Sequence, residues 1–156
     1  MFRRNRSHSH RNPRRKRVWA IEEDALRFIL EASRSTHPNE FAGLLSAREG
    51  IITECILLPG TTSSEVMAVL QLYMLPNIPY AGSVHSHPSP HPYPSQADLE
   101  MFQKTGEIHI IVAYPYSLDS WRSYDRVGNP YNLQVVSSTI EEGNDDSWDE
   151  SKDEWD

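Results

Sequence analysis

Two histidines, a serine and an aspartate are spaced in this chain as the residues around a single metal ion would be. They lie in His85-Ser86-His87 and, after a proline-rich loop, in Ser95-Gln96-Ala97-Asp98. Residues 80–87 are predicted to form a strand, so the two imidazoles point to the same side, since successive side chains alternate between faces. Two histidines and one carboxylate leave the fourth position of a tetrahedral Zn²⁺ open to water, as catalytic rather than structural zinc sites do.

The Ser-x-x-Asp segment also has a purely structural explanation. Residues 96–104 are predicted to form a short helix, with Ser95 at its N-cap position accepting a hydrogen bond from the backbone N–H of Asp98 in a capping box. The two explanations are compatible. A cap fixes the first helical turn, and a metal-ligating carboxylate needs a fixed orientation.

Glu40 is a candidate general acid and base. It begins the apolar segment Glu40-Phe41-Ala42-Gly43-Leu44-Leu45, forty-five residues before His85. A carboxylate that faces a metal-activated water can take its proton and later pass it to a leaving amine. From its position alone, an exposed carboxylate at a strand end is the better account of Glu40, so its role stays open on these grounds.

Other residues that could bind a metal or act as a nucleophile carry weaker signals. His8-Ser9-His10 repeats the His-x-His pattern without a Ser-x-x-Asp at the right distance, and we interpret it as part of a solvated, low-complexity arm. Cys55 is the single cysteine, which excludes an internal disulfide and a thiolate zinc site. It lies in an apolar run and is interpreted as a core residue. His91 is not expected to be a ligand, because three protein ligands suffice for catalytic zinc. His109 and His37 are expected to be structural.

The elements that must position these side chains follow an α/β order. Apolar spacing predicts a helix from Val18 to about Arg34, ended at His37-Pro38 because the residue before proline is pushed out of the helical region. Residues 65–75 fit a strand or a short helix equally well. The predicted strands are 40–46, 51–58, 80–87, 108–114 (expected to be central), and 121–126 and 131–138 as a hairpin. This order predicts a mixed sheet with helices packed against it.

Charge divides the chain into three parts. The net charge of -7 hides eight basic and no acidic residues in 1–17, and nine acidic residues against Lys152 in 141–156. Neither end has the apolar periodicity needed to bury surface. We therefore predict a basic disordered arm at 1–17, one folded domain at 18–138 and an acidic disordered tail at 139–156. The length of 156 residues fits one domain with a sizeable core.

Composition also limits the partners. No hydrophobic stretch approaches the roughly 18 residues of a transmembrane helix, so we expect no membrane partner. The arginine-rich start lacks the apolar segment of a secretory signal, which predicts a cytoplasmic protein. The basic arm is the one hint of nucleic acid. Pairing with the acidic tail, or simple solvation, explains the arm better, and we do not expect nucleic acid as a partner.

These motifs together resemble the JAMM (MPN-plus) family of zinc metalloproteases. Glu40-x-x-Gly43-Leu44-Leu45, His85-Ser86-His87-Pro88 and Ser95-x-x-Asp98 carry the resemblance, which covers nearly all of 18–138. It implies an α/β fold on a curved mixed sheet, similar to that of cytidine deaminases. It also implies one Zn²⁺ on His85, His87 and Asp98 with water as fourth ligand, Glu40 as general acid and base, and Ser95 stabilising the oxyanion. A deaminase itself is disfavoured, because its site needs a Pro-Cys-x-x-Cys pair.

The compact chain resembles the small prokaryotic and archaeal members of that family. The resemblance implies hydrolysis of the isopeptide or linear bond after the C-terminal Gly-Gly of a ubiquitin-like modifier or sulfur carrier. The extended tail of such a modifier would add as a strand beside the site. The alternative is a catalytically silent scaffold of the same fold that binds protein partners. The complete set of five functional positions favours the enzyme.

Overall fold

The computed structural model describes residues 17–58, 65, 68 and 80–138. The elements along the described residues are β1 (Ala20–Glu22), α1 (Glu23–Thr36), β2 (Ala42–Arg48), β3 (Ile51–Leu58), β4 (Gly82–His87), α2 (Gln96–Lys104), β5 (Ile108–Ala113), β6 (Trp121–Tyr124) and β7 (Gln134–Val136). The strands form one curled mixed sheet in the order β6-β5-β4-β2-β3-β1-β7. The predicted α/β architecture of a mixed sheet flanked by helices is confirmed.

The two helices pack against opposite faces of this sheet. The core under α1 contains Leu45, Val84 and Ile110, whereas the core under α2 contains Leu44 and Ile111. Neighbouring residues of one strand thus enter different cores, as the alternation of strand side chains requires. Each buried aliphatic side chain contributes about 1.5–3 kcal/mol to folding. On β4, Val84 points to α1. His85 and His87 follow it by one and three positions, so both point to the α2 face.

Two glycines allow β4 and β2 to lie close to their neighbours. A Cβ on Gly82 would lie 1.5 Å from the carbonyl oxygen of Ile108 on β5. A Cβ on Gly43 would lie 2.5 Å from Cys55 Sγ and 2.8 Å from the carbonyl oxygen of Ile56 on β3. No side chain fits at either position unless backbone moves, so glycine sets the spacing of the strands that carry the site.

The N-terminal helix begins later than predicted. Instead of a helix from Val18, the chain forms β1, whose Ala20 and Ile21 pair in parallel with both β3 and β7. Three residues are too few for a period of two to be recognised, and Ile21 fits the apolar face of either element. The helix then starts with Glu23 and Asp24, which favour the positive end of its dipole, and ends at Thr36 before the predicted stop.

Two further predictions about the strands are wrong. The last two strands do not form a hairpin, because β6 pairs with β5 at one edge while β7 pairs in parallel with β1 at the opposite edge. After β6 the chain returns for a single bridge, Tyr124 to Pro130, and proline has no N–H to continue a ladder. β5 is fully buried but lies second from the edge, and β2 occupies the centre.

The remaining predicted elements match the structure closely. The predicted strand at 51–58 and helix at 96–104 are observed with those bounds, and the strands predicted at 40–46, 80–87 and 108–114 differ by at most two residues at an end. The ambiguous segment 65–75, the acidic tail and the basic arm up to residue 16 lie outside the described residues, apart from positions 65 and 68. Along the described chain, none of the helices is long and apolar enough to span a membrane.

Candidate active site

β4 and the first turn of α2 bring three potential metal ligands together. His85 Nε2 lies 3.1 Å from His87 Nε2 and 3.1 Å from Asp98 Oδ1, and His87 Nε2 lies 3.2 Å from Asp98 Oδ2. The two histidines share a face because they are two residues apart on one strand. The site lies at the end of β4, where the histidines are followed by the proline-rich loop.

Asp98 is held by the helix cap that the sequence suggested. The backbone N–H of Asp98 donates to Ser95 Oγ (3.1 Å), and the backbone N–H of Ser95 donates to Asp98 Oδ2 (2.9 Å). This reciprocal pair is a capping box. The structural explanation of Ser-x-x-Asp is therefore confirmed, and the cap orients a carboxylate whose oxygens face both histidines, which is compatible with the metal-binding explanation.

His87 is oriented by the main chain of the loop. Its Nδ1 lies 2.9 Å from the carbonyl oxygen of His91. A carbonyl can only accept, so Nδ1 carries a proton, and in the neutral ring the lone pair of Nε2 faces Asp98 and His85. The His91 side chain is exposed. In the described part of the chain the candidate metal-binding group consists of His85, His87 and Asp98, and His91 contributes its carbonyl only.

The electrostatics of this cluster fit a divalent cation. The two Nε2 atoms lie 3.1 Å apart, and each lies within 3.2 Å of one oxygen of Asp98, so their lone pairs repel unless a positive charge lies between them. Burial lowers the pKa of His87, whereas its hydrogen bonds to Asp98 and to the His91 carbonyl raise it. The upward effects are together larger, so the net pKa is raised. The site therefore favours a positive charge, either a proton or a metal. Two imidazole nitrogens and one carboxylate oxygen are a donor set that suits zinc.

His85 is buried more deeply than His87. Its Nδ1 is buried and has no hydrogen-bond partner among the described residues. With Nε2 directed at Asp98, a neutral His85 ligand would carry its proton on this Nδ1.

The antiparallel pairing of β2 with β4 brings Glu40 to the same site. Ala42 pairs with His85, and the ladder continues outward because the N–H of Ser86 donates to the carbonyl of Phe41 (2.8 Å). The next pair in this register is Glu40 with His87, on the same face as Ala42 and His85. Burial raises the pKa of the Glu40 carboxyl, the two histidines lower it, and Asp98 raises it, with a net increase. A raised carboxyl pKa is what proton transfer near neutral pH requires.

Ser95 is exposed and lies at the rim beside the candidate metal ligands. Its oxygen accepts the Asp98 N–H. That bond uses a lone pair, so the hydroxyl hydrogen is still able to donate to an acceptor. The arrangement lets one side chain cap the helix and present a donor to a group bound at the site.

Two other candidate groups are structural. His109 is buried against Phe102, with Nδ1 2.7 Å from Ser83 Oγ and Nε2 3.0 Å from the Gly106 carbonyl. Its pKa is lowered to about 4, chiefly by burial. This serine–histidine pair is too deeply buried to attack a substrate. Cys55 is partly buried and packs against the core under α1 instead of lying within it as predicted. Burial raises the pKa of its thiol to about 12, so it remains neutral.

Tyr124 near the site gave no signal in the sequence. Its hydroxyl donates to the carbonyl oxygen of Pro92 in the proline-rich loop (2.5 Å), and its ring stacks on Phe102 of α2. This contact joins residues 32 positions apart and depends on how β6 pairs with β5. Local sequence patterns do not contain that information.

Comparison with known proteins places the fold and the site in one family. Residues 22–125 match the family described as prokaryotic homologs of the JAB domain. A curated protein of Haloferax volcanii, named a probable metalloprotease, is 38% identical over 138 residues, which are 81% of this chain and 85% of that protein.

Solved structures give the same result. A structure titled "JAMM: A Metalloprotease-like Zinc Site in the Proteasome and Signalosome" is 39% identical, with a TM-score of 0.64 over 77% of this chain and 99% of its own. A JAB1/MPN domain protein from Archaeoglobus fulgidus is 40% identical, with a TM-score of 0.63 over 76% of this chain and 99% of its own. A Desulfitobacterium hafniense protein at 16% identity shares the fold, with a TM-score of 0.52 over 77% of this chain and 94% of its own.

Proposed function

The chain belongs to the JAMM family, in its prokaryotic JAB-domain branch, and from this premise we propose that it is a zinc-dependent isopeptidase or peptidase. Its substrate on this proposal is the bond after the C-terminal Gly-Gly of a ubiquitin-like modifier or sulfur-carrier protein. The metalloprotease part rests on the relatives and on His85, His87 and Asp98, whose potential ligand atoms all lie within 4.8 Å of one another. The modifier specificity rests on the resemblance to small family members and on the sheet edge described below.

The proposed metal is one Zn²⁺ held by His85, His87 and Asp98. When bound it would polarise the scissile carbonyl, lower the pKa of a water in its fourth position to about 7, and so make attack possible at neutral pH. The protein keeps this donor set in place through the capping box on Asp98 and the carbonyl of His91 on His87.

Glu40 moves the proton in the proposed reaction. Its carboxylate takes a proton from the attacking water as the new C–O bond forms, then donates that proton to the nitrogen as the C–N bond breaks. The products are a free carboxylate on the modifier and a free amine, which is a lysine side chain in an isopeptide. The raised pKa of Glu40 makes it a competent acid for the second step.

Ser95 stabilises the charge that develops on the carbonyl oxygen. Its hydroxyl hydrogen donates to the oxyanion while its oxygen keeps the Asp98 N–H. A donor fixed in this way before reaction contributes about 100-fold or more to the rate.

The edge of β3 supports the binding of an extended tail. Within β3, β1 pairs only with Ile51 and Ile52, so among the described residues the outer edge of 53–58 has no neighbouring strand. Leu58 pairs with Ala42, which pairs with His85, so this edge runs toward the metal ligands. A modifier tail could form backbone hydrogen bonds there. Glycines at its end would allow its backbone to approach the site closely.

The direct test is cleavage of a defined conjugate. A modifier joined through Gly-Gly to a lysine peptide should be hydrolysed by the zinc-loaded protein, and cleavage should stop with a chelator and return with added zinc. Linear and isopeptide conjugates assayed in parallel determine the preferred bond. No chelator-sensitive cleavage, or less than about one zinc per chain after purification without chelator, would instead favour the silent scaffold.

A further inference from the structure

The loop between β4 and α2 fixes His87 through its main chain. Residues 88–94 contain Pro88, Pro90, Pro92 and Pro94. Proline lacks an N–H, so every second residue of this loop can form main-chain hydrogen bonds only through its carbonyl. One carbonyl, that of His91, accepts from His87 Nδ1 at 2.9 Å. The position of this single oxygen therefore decides the orientation and tautomer of a metal ligand.

The next carbonyl along the loop is held by Tyr124. Pro92 O accepts from the Tyr124 hydroxyl at 2.5 Å. The Tyr124 ring is 5% exposed and stacks on Phe102, with ring centroids 6.0 Å apart. Phe102 in turn stacks on the buried His109. The phenol is thus fixed by the core under α2, and it anchors the peptide adjacent to the one that contacts His87.

We propose that Tyr124 is a positioning residue for the metal centre, acting on His87 through the successive carbonyls of Pro92 and His91. The inference rests on the zinc site of the proposed function. Without the hydroxyl, Pro92 O loses its buried donor and the loop gains freedom to rotate. The His91 carbonyl then no longer keeps the His87 ring in one orientation with its proton on Nδ1. A smaller fraction of the protein molecules therefore presents the Nε2 lone pair to the metal.

The test is the zinc affinity of Tyr124→Phe, measured by competition with a chromophoric chelator. Loss of a partner behind a metal ligand weakens binding about 10-fold to 100-fold, so we expect at least about 10-fold weaker zinc binding. The matched control is Tyr131→Phe. The Tyr131 hydroxyl also donates to a carbonyl, that of Val18, at 2.5 Å. The control removes a comparable bond away from the site and should bind zinc within about twofold of the original protein.

Zinc binding by Tyr124→Phe within about twofold of the original protein would overturn the inference, as would equal weakening in Tyr131→Phe. A second measurement does not depend on the variant folding. Nitrogen-15 NMR of the metal-free original protein, at a pH high enough for the His87 ring to be neutral, should place its proton on Nδ1, and a proton mainly on Nε2 would refute the inference. If the original protein bound no zinc at all, the proposed function would fail first, so the two failures are distinguishable.

Discussion

The buried imidazole of His109 predicts how the stability of this protein responds to acid. The neutral ring satisfies both its nitrogens: Nε2 donates to the Gly106 carbonyl at 3.0 Å and Nδ1 accepts from the Ser83 hydroxyl at 2.7 Å. The ring also stacks on Phe102 with centroids 4.3 Å apart. Burial, as the largest cause, lowers the pKa of His109 from 6.5 to about 4. The folded chain therefore resists protonation at pH values where the unfolded chain accepts it.

The magnitude follows from linkage between protonation and folding. Above pH 6.5 both states hold a neutral ring, and His109 adds no pH dependence. As the pH falls below that value, the unfolded state gains a proton that the folded state gains only near pH 4, so the free energy of unfolding decreases. The loss attributable to His109 is about 2 kcal/mol between pH 7 and pH 5, and about 3 kcal/mol in the limit of still lower pH.

The assay is urea unfolding of the metal-free protein at pH 7 and pH 5, for the original chain and His109→Gln. Glutamine can form both hydrogen bonds but does not titrate, so the variant should lose about 2 kcal/mol less stability between the two pH values. His91→Gln, which removes an exposed histidine, is the matched control. An equal loss in the original chain and His109→Gln would refute the reasoning. So would an NMR titration of the original protein that gave His109 a pKa near 6.5.

Three further predictions concern the site. Glu40→Gln should bind zinc as the original protein does and lower kcat by about 100-fold or more. It should also raise the metal-free unfolding free energy above neutral pH, because the raised pKa of Glu40 makes ionisation less favourable in the folded state than in the unfolded state, and glutamine does not ionise. Chelator competition, kinetics and urea unfolding measure these changes, and unchanged kcat would remove Glu40 from the mechanism. Ser95→Ala should lower kcat about 100-fold and stability by about 1 kcal/mol, whereas Ser95→Asp should restore the cap, measured as the melting temperature, but not kcat. His91→Ala should keep zinc affinity within about twofold, because only the carbonyl of His91 contacts His87; a large loss of zinc would show that the imidazole is a ligand.

The features that the sequence predicted well are local. Ser95 and Asp98 form a capping box within four residues, so the start of α2 was predicted at the residue where it is observed. His85 and His87 lie on the same face because side chains alternate along one strand. The break between the strands predicted at 40–46 and 51–58 is also local. Gly50 adopts a positive φ of 78° in the turn between β2 and β3, a conformation that glycine allows.

The features that the sequence did not predict depend on contacts between distant segments. The apolar spacing predicts helix for the residues of β1, because only the pairing of this segment with β3 and β7 reveals a strand. β7 was assigned to a hairpin because its partner, β1, lies more than a hundred residues earlier in the chain. Glu40 was ambiguous for the same reason, since only the register of β2 against β4 shows that it lies opposite His87.

The three proposed ligands all come from one continuous stretch, from β4 to the first turn of α2. A metal ion bound there links two elements that the chain already joins by a short, proline-stiffened loop, so little chain freedom remains for it to restrict. The core under α1 contains none of these ligands. The domain should therefore stay folded when its metal is stripped, unlike a zinc finger. Removing and restoring the metal should accordingly not require the chain to refold.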